Sequence, residues 1–267
     1  MTVAIIGAGV MGETLLSGLL RAGRRVDDLL VGEKRRERAT ELEERYGVRV
    51  VGNLDAAREA DTVMLVVKPQ DMGELLDELA PVVRPGQLVV SLAAGIPTAF
   101  MEARLPDGVA VVRVMPNTPA LVDEGMAAIS RGSHCDEAHL VEAEELMAAT
   151  GRVIRVPERQ QDAVTAISGS GPGYIFFVVE SMIEAGVHLG LPRATAAELV
   201  VQTVVGSAKL LRDTGEHPVV LRERVTSPAG TTAAALRQLE EHKVRAAFLV
   251  AIEAARDRSR ALAAGLD

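Results

Sequence analysis

Two stretches of the chain combine residue types and spacings that could do chemistry. Near the C-terminus, Val225-Thr226-Ser227-Pro228-Ala229-Gly230-Thr231-Thr232 sets hydroxyls, a proline and small residues directly before the apolar-periodic segment Ala233 to Leu239. This predicts a helix entered through a capped, proline-assisted turn, with Thr231 acting mainly as a cap. The N–H groups of a helix's first turn have no partner within the helix and lie at the positive end of its dipole, so a small carboxylate is a natural guest there. An ordinary N-cap has the same signature, and the residues alone leave both readings open.

At the other end, the apolar run Thr2-Val3-Ala4-Ile5-Ile6 meets Gly7-Ala8-Gly9-Val10-Met11-Gly12 and then the helical spacing Leu15, Leu16, Leu19, Leu20. Strand, glycine turn and helix in this order suit a dinucleotide. Gly7 permits the tight turn, Gly9 leaves room for a pyrophosphate to approach the backbone, and Gly12 lets the helix pack on the strand. A glycine-rich turn without a ligand is the alternative. The second strand-like run, Leu29-Leu30-Val31-Gly32, ends at Glu33, where a carboxylate could accept hydrogen bonds from an adenosine ribose diol and favour NAD. Lys34, Arg35 and Arg36 follow at once. Cations at a helix start oppose the dipole, so they could instead serve a 2′-phosphate through charge-assisted hydrogen bonds.

The elements that must position these turns fall into two groups. Apolar runs at Leu29 to Val31, Val48 to Val51, Val63 to Val67, Leu88 to Leu92 and Val109 to Val114 alternate with amphipathic stretches, the pattern of a doubly wound α/β domain whose parallel sheet is covered on both faces. Met126 to Ser130 and Arg152 to Val156, flanking a helix over Asp136 to Thr150, extend that sheet. The dinucleotide-binding domain is expected over residues 1–157 and an all-helical domain over 158–267, with helical spacing in Glu158 to Leu189, Arg193 to Arg212, Thr231 to Leu239 and Val244 to Ala264. Within the first of these helices lies Ser168-Gly169-Ser170-Gly171-Pro172-Gly173-Tyr174, and Gly206 interrupts the second. Each interior glycine costs about 1 kcal/mol against alanine, so a close approach by ligand or partner helix should offset it; a kink at Pro172 is the other reading.

Composition bounds the function. The chain has 267 residues, 48% of them hydrophobic and 25% charged, enough for one large core or two ordinary ones. A net charge of −8 and a pI near 5.3, with no basic tract, disfavour nucleic acid and anionic membranes and point to a small-molecule substrate. Aromatic residues at 2%, with no Trp, exclude stacking platforms on any scale. The single Cys135 excludes an intrachain disulfide. Without a leader segment before the first strand or an unbroken apolar run of membrane length, a cytoplasmic setting is expected. His134-Cys135-Asp136 with His139 looks like a ligand cluster but enters a helix from a polar loop, and no metal is expected; His217, before Pro218, reads as structural.

Five blocks in order resemble the pyrroline-5-carboxylate reductase family over essentially the whole chain: Ile5 to Gly12, Val66-Val67-Lys68-Pro69, Met115-Pro116-Asn117-Thr118-Pro119, Ser168 to Tyr174, and Val225 to Thr232. The resemblance implies a Rossmann domain followed by a helical domain that interleaves with its counterpart in a homodimer. It also implies reduction of 1-pyrroline-5-carboxylate to L-proline, the last step of proline biosynthesis, with NADPH as donor and NADH as a poorer one. A decamer of five dimers is implied by resemblance alone. Such a site needs no metal and no nucleophile, because reducing a cyclic imine is mostly positioning and electrostatics.

Carried over residue by residue, the resemblance puts the substrate carboxylate on Ser227 and the N–H groups that follow, over Ala229, Gly230 and Thr231. Thr232 hydrogen-bonds the ring nitrogen. It puts the cofactor on Gly7, Gly9, Val10, Met11 and Gly12, with Glu33, Lys34 and Arg35 at the adenosine end. Val67, Lys68, Pro69, Ala93, Ala94 and the Asn117 side chain line the nicotinamide-ribose pocket. In the family two glycines usually follow the serine-proline pair; here the first is Ala229, tolerable unless that residue needs positive φ. Other readings are a β-hydroxyacid or imine dehydrogenase acting on an acyclic substrate, for which Lys209 is the nearest acid but lacks the usual glycine-rich lysine motif, and a nucleotide sensor without activity.

Overall fold

The computed structural model describes residues 1–264 and divides into two compact units, residues 1–170 with the last helix from Ala255 onward, and residues 171–254. In the first unit, strands β1 (Val3–Ile6), β2 (Leu29–Gly32), β3 (Arg49–Val51), β4 (Thr62–Leu65), β5 (Leu88–Ser91), β6 (Ala110–Met115), β7 (Gly125–Arg131) and β8 (Gly151–Arg155) form one sheet in the order β3-β2-β1-β4-β5-β6-β7-β8. All neighbours are parallel except β6 and β7. The two late strands thus extend the sheet as expected, β7 by reversing direction.

The apolar runs alternate their faces. Val3 and Ile5 join the core under α1 (Val10–Arg21) and α2 (Arg36–Tyr46), while Ala4 and Ile6 join the opposite core with residues of α3 (Asn53–Glu59), α4 (Met72–Leu79) and α5 (Thr98–Glu102). Residues two apart in a strand share a face, so a continuous apolar run is what a doubly covered sheet requires. Helix α6 (Glu137–Ala148) covers the first face beside β7 and adds Leu140, Ala143 and Leu146 to its core. Its entry explains the histidine-rich loop: Asp136 Oδ1 accepts from His139 N at 3.0 Å, and His139 Nδ1 accepts from Asp136 N at 3.2 Å. The cluster is a capping box.

By contacts the first unit runs through Ser170, because residues 158–170 pack on the sheet. A 3₁₀ turn (Glu158–Gln160), the short α7 (Gln161–Val164) and a π-helical turn (Thr165–Gly169) replace the expected continuous helix. Gln161 is fully buried, its Nε2 donating to Ser130 Oγ at 2.8 Å and to Ala128 O at 3.2 Å. Gly169 lies against the Met115 methyl, so this glycine serves packing on the sheet.

The second unit is all helix among the described residues: α8 (Gly171–His188), α9 (Arg193–Thr214), α10 (Pro218–Arg224), α11 (Thr231–Glu241) and the first half of α12 (Val244–Ala264). Helix α10 was not expected. Pro218 at its first position and the His217 ring accepting from Val219 N are its start signal, so His217 is a cap. By length and composition alone α9, with mean hydropathy 1.2, is apolar enough to cross a membrane; an unbroken-run criterion misses it because Gln202, Thr203, Ser207 and Lys209 interrupt the apolar residues.

Candidate functional site

Two helix entries carry the residues singled out by sequence. The first is the β1–α1 turn. Gly7 has φ of +102°, and a Cβ there would run into the Val66 carbonyl of the neighbouring β4 exit; one on Gly12 would run into the Gly7 carbonyl. Both glycines are therefore fixed by backbone packing. Gly9 differs: a Cβ there would meet nothing within 4 Å. Gly9 is the N-cap of α1 without a side-chain cap, and the first backbone bond, Glu13 N to Gly9 O, is 3.0 Å. The N–H groups of Val10, Met11 and Gly12 thus have no partner within the helix, next to the open space at Gly9, which fits a pyrophosphate.

A cleft of about 280 Å³ opens from this turn between β1, β2 and β4, lined among others by Gly7, Glu33, Asn53, Val67, Glu74 and Glu78. Order reverses here, since β1 sits between β2 and β4, and ligands of doubly wound sheets collect at such a point. Glu33 stands at the end of β2 with its side chain only 8% exposed. Its Oε1 accepts from Arg35 N at 2.9 Å and Nε at 3.1 Å, and its Oε2 from Nη2 at 3.1 Å. Burial pushes the Glu33 carboxyl up, but the Arg35 hydrogen bonds outweigh it and hold the group below the usual carboxylate range. Lys34 Nζ reaches Glu78 Oε2 at 2.8 Å across the cleft. Both cations of the expected phosphate pair are thus engaged by carboxylates, and among the described residues Arg36, the first residue of α2, has no ion pair.

Sequence reading missed four contributors to this end. Arg38 donates from Nε to Ala8 O at 3.0 Å and pairs with Glu13, tying α2 to the glycine turn. Asn53 lies against Gly32 and lines the cleft, and Glu74 and Glu78 make its far lip acidic. Arg38 belongs to the same basic run that drew attention to Lys34, whereas α4's acidic face gives no local signal.

Of the residues expected at the nicotinamide, Val67 lines the cleft, Lys68 is exposed and caps the 3₁₀ turn Pro69–Asp71, and Ala94 is exposed. Two of the expected residues turn to protein in this structure. Ala93 is 3% exposed and belongs to the core, so its side chain faces inward and only its backbone borders the loop. The Asn117 amide is engaged by protein: Oδ1 accepts from Met126 N at 2.8 Å and Nδ2 donates to Ser168 O at 3.1 Å. It clamps the start of β7 and the π turn.

The second entry is the turn into α11. Ser227 O accepts from Gly230 N at 3.0 Å, with Pro228 and Ala229 between, and Ala229 has φ of +55°. Proline followed by a positive-φ residue is the pattern of a type II turn, where glycine is normally required. Ala229 therefore occupies the one kind of position at which its methyl matters. A Cβ on Gly230 would strike Ser227 Oγ, so that glycine is fixed by the serine hydroxyl. Gly230, not Thr231, is the N-cap, with φ −80° and ψ 174° and no side-chain cap; Thr231 and Thr232 are the first two helical residues, correcting the capping role expected of Thr231. The first intrahelical bond, Ala234 N to Gly230 O, is 3.1 Å, leaving the N–H groups of Thr231, Thr232 and Ala233 to a guest. Ser227 is exposed and Thr232 half-buried at this end.

Comparison with known proteins gives this geometry its context. The family pattern described as pyrroline-5-carboxylate reductase dimerisation matches residues 158–262, and that described as NADP oxidoreductase, coenzyme F420-dependent, matches residues 2–95. A pyrroline-5-carboxylate reductase of Corynebacterium melassecola is 46% identical over 98% of each chain. The chain belongs to the pyrroline-5-carboxylate reductase family. Its members are oxidoreductases acting on a CH–NH bond with NAD(P) as acceptor. The Mycobacterium tuberculosis member is 44% identical over 97% of this chain and 96% of its own. Among solved structures, the Coxiella burnetii reductase superposes with a TM-score of 0.94 at 36% identity over 98% of each chain. The Plasmodium falciparum enzyme, solved with NADP bound, gives 0.88 at 28% identity over 98% of each chain.

Proposed function

We propose that the chain reduces 1-pyrroline-5-carboxylate to L-proline in the cytoplasm with NADPH, using the β1–α1 turn for the cofactor and the α11 turn for the substrate. The observation that carries this reading is the pair of uncapped helix entries, one beside open space at Gly9 and one between Ser227 and Thr232, each with three N–H groups free for an anion. The dinucleotide supplies hydride to the imine carbon. The chain's task is to hold the substrate carboxylate on the α11 entry, with the Ser227 hydroxyl alongside, and to accept the ring N–H at the Thr232 hydroxyl as nitrogen carries its charge.

NADPH is preferred to NADH by a modest factor, because Arg35 and Arg36 favour a 2′-phosphate while Glu33, Glu74 and Glu78 oppose it. Specificity constants measured side by side test this: a strong NADH preference untouched by Lys34→Ala or Arg35→Ala would overturn it.

The second unit is completed by a second copy of the chain. Phe176 and Phe177 on α8 are 67% and 68% exposed, Leu249 and Val250 on α12 are 65% and 66%, and Gly171, Gly173 and Gly206 face open space. Apolar area and small residues on the same helices suit close helix–helix contact. In the homodimer one copy's nucleotide unit serves the helices of the other, as the resemblance implies. Light scattering at working concentration, with an active monomer as the refuting result, tests the assembly.

A further inference from the structure

The loop of residues 92–97, between β5 and α5, is held from outside by an acid that the reaction itself does not use. Thr98, the first residue of α5, is 5% exposed; its N–H donates to Glu158 Oε1 at 2.7 Å and its hydroxyl to Glu158 Oε2 at 2.7 Å. The same Oε1 accepts from Arg113 Nη1 at 3.3 Å, and the Arg113 side chain is 8% exposed. Arg113 pairs in register with Ser91, the last residue of β5, whose hydroxyl accepts from Ala93 N at 3.3 Å. The loop is therefore fixed at both ends, at Ala93 by Ser91 and at Thr98 by Glu158.

Core packing does not demand this arrangement. An ion pair with a buried arginine gains little stability over apolar residues of the same volume, since desolvation offsets the attraction. What a network of hydrogen bonds joining two loops does supply is a single geometry. Glu158 also opens the segment whose Ser168 carbonyl accepts from Asn117, so one short stretch of chain ties the loop after β5 to the loop after β6.

We propose that Glu158 is a positioning residue for hydride transfer, fixing the loop 92–97 by holding Thr98 and Arg113 together. The inference rests on the reading that this loop borders the nicotinamide. Displacing a reacting group by about 1 Å can cost on the order of a hundredfold in rate. Glu158→Gln, which cannot present two carboxylate oxygens, and Thr98→Val, which loses the hydroxyl, are each expected to lower kcat by about tenfold and to raise the primary isotope effect with 4-deuterated NADPH. Affinity for ADP-ribose, which occupies only the adenosine end, should stay within about twofold of wild type. Thr98→Ser restores both rate and isotope effect. Soluble, folded Glu158→Gln and Thr98→Val proteins with the wild-type isotope effect and kcat would overturn the positioning role. Failure of the wild-type chain to oxidise NADPH with pyrroline-5-carboxylate would instead overturn the reading on which it rests.

Discussion

The sheet unit and the helical unit solve the same problem, burying apolar residues while presenting a helix entry, in opposite ways. The sheet unit closes two cores with its own α1 to α6, and its glycine turn is fixed by contacts within the chain, Gly7 on Val66 and Gly12 on Gly7. In the helical unit, among the described residues, the only buried hydrophobic residues on α8, α9, α10 and α11 are Ala196 and Val200. Each large apolar side chain left exposed forgoes about 1.5–3 kcal/mol of burial. The β1–α1 turn is thus supported by local packing, whereas the α11 turn stands on helices whose apolar faces the proposed second copy would cover.

The sharpest way to break this contrast is to charge the face that the second copy would cover. Phe177→Asp is expected to abolish assembly and with it essentially all turnover, since a buried unpaired carboxylate costs several kcal/mol. ADP-ribose binding to whatever sheet unit remains folded should persist. Sedimentation together with turnover checks it, and an active, dimeric variant would contradict the assignment of that face.

Next in size is Gly9→Val. Because a Cβ at Gly9 meets no protein atom within 4 Å, the fold should be kept while cofactor affinity falls by more than about a hundredfold, near 2.8 kcal/mol at 1.4 kcal/mol per tenfold. Calorimetric titration with NADPH measures it, and a circular-dichroism spectrum controls for folding; retained affinity would make the turn merely structural. Thr232→Ala comes third: kcat lower by about 10- to 100-fold with cofactor affinity unchanged, because a bond to a developing charge is lost. Wild-type turnover in that variant would remove Thr232 from the mechanism.

Smaller effects sharpen the adenosine end and the α11 turn. The hydrogen bonds from Arg35 keep Glu33 ionised at neutral pH, so Glu33→Gln should raise kcat/KM for NADPH by about 3- to 10-fold and leave NADH equal or worse. An unchanged ratio of the two constants would show that Glu33 does not reach the cofactor. Ala229→Gly removes the cost of a positive φ on an L-residue, about 1–2 kcal/mol, but adds backbone entropy to the unfolded chain. Its expected net effect is a shift of less than about 1 kcal/mol in stability, read as Tm, with activity retained. A large loss would mean that the methyl makes a contact this turn needs.

The same contrast explains what could be read from sequence. Strands and the glycine turn were legible because their rules are local: apolar runs bounded by turn residues, and glycines whose places follow from backbone contact. Ser227, Gly230 and Thr232 were legible for the same reason, although the cap moved from Thr231 to Gly230 once Ala229 took a positive φ. What escaped was set by partners distant in the chain. Asn117 looked free for a ribose, yet the Ser168 carbonyl and the Met126 amide occupy it. Strand signals stop at Pro157, and nothing local shows that residues just beyond it pack on the sheet, where Ser130 and Ala128 draw Gln161 onto β7. Lys34 looked free for a phosphate, with only the neighbouring Glu33 against it, until α4 brought Glu78 onto its ammonium group.

The central claim is that this chain delivers hydride from NADPH to a cyclic imine carboxylate. Loss of NADPH absorbance on adding 1-pyrroline-5-carboxylate to the purified protein, followed by chromatographic quantification of proline, tests it most directly. One proline formed for each NADPH oxidised, with acyclic imino and β-keto acids inert, is the expected result. NADPH oxidation by an acyclic acid with no response to 1-pyrroline-5-carboxylate would contradict it.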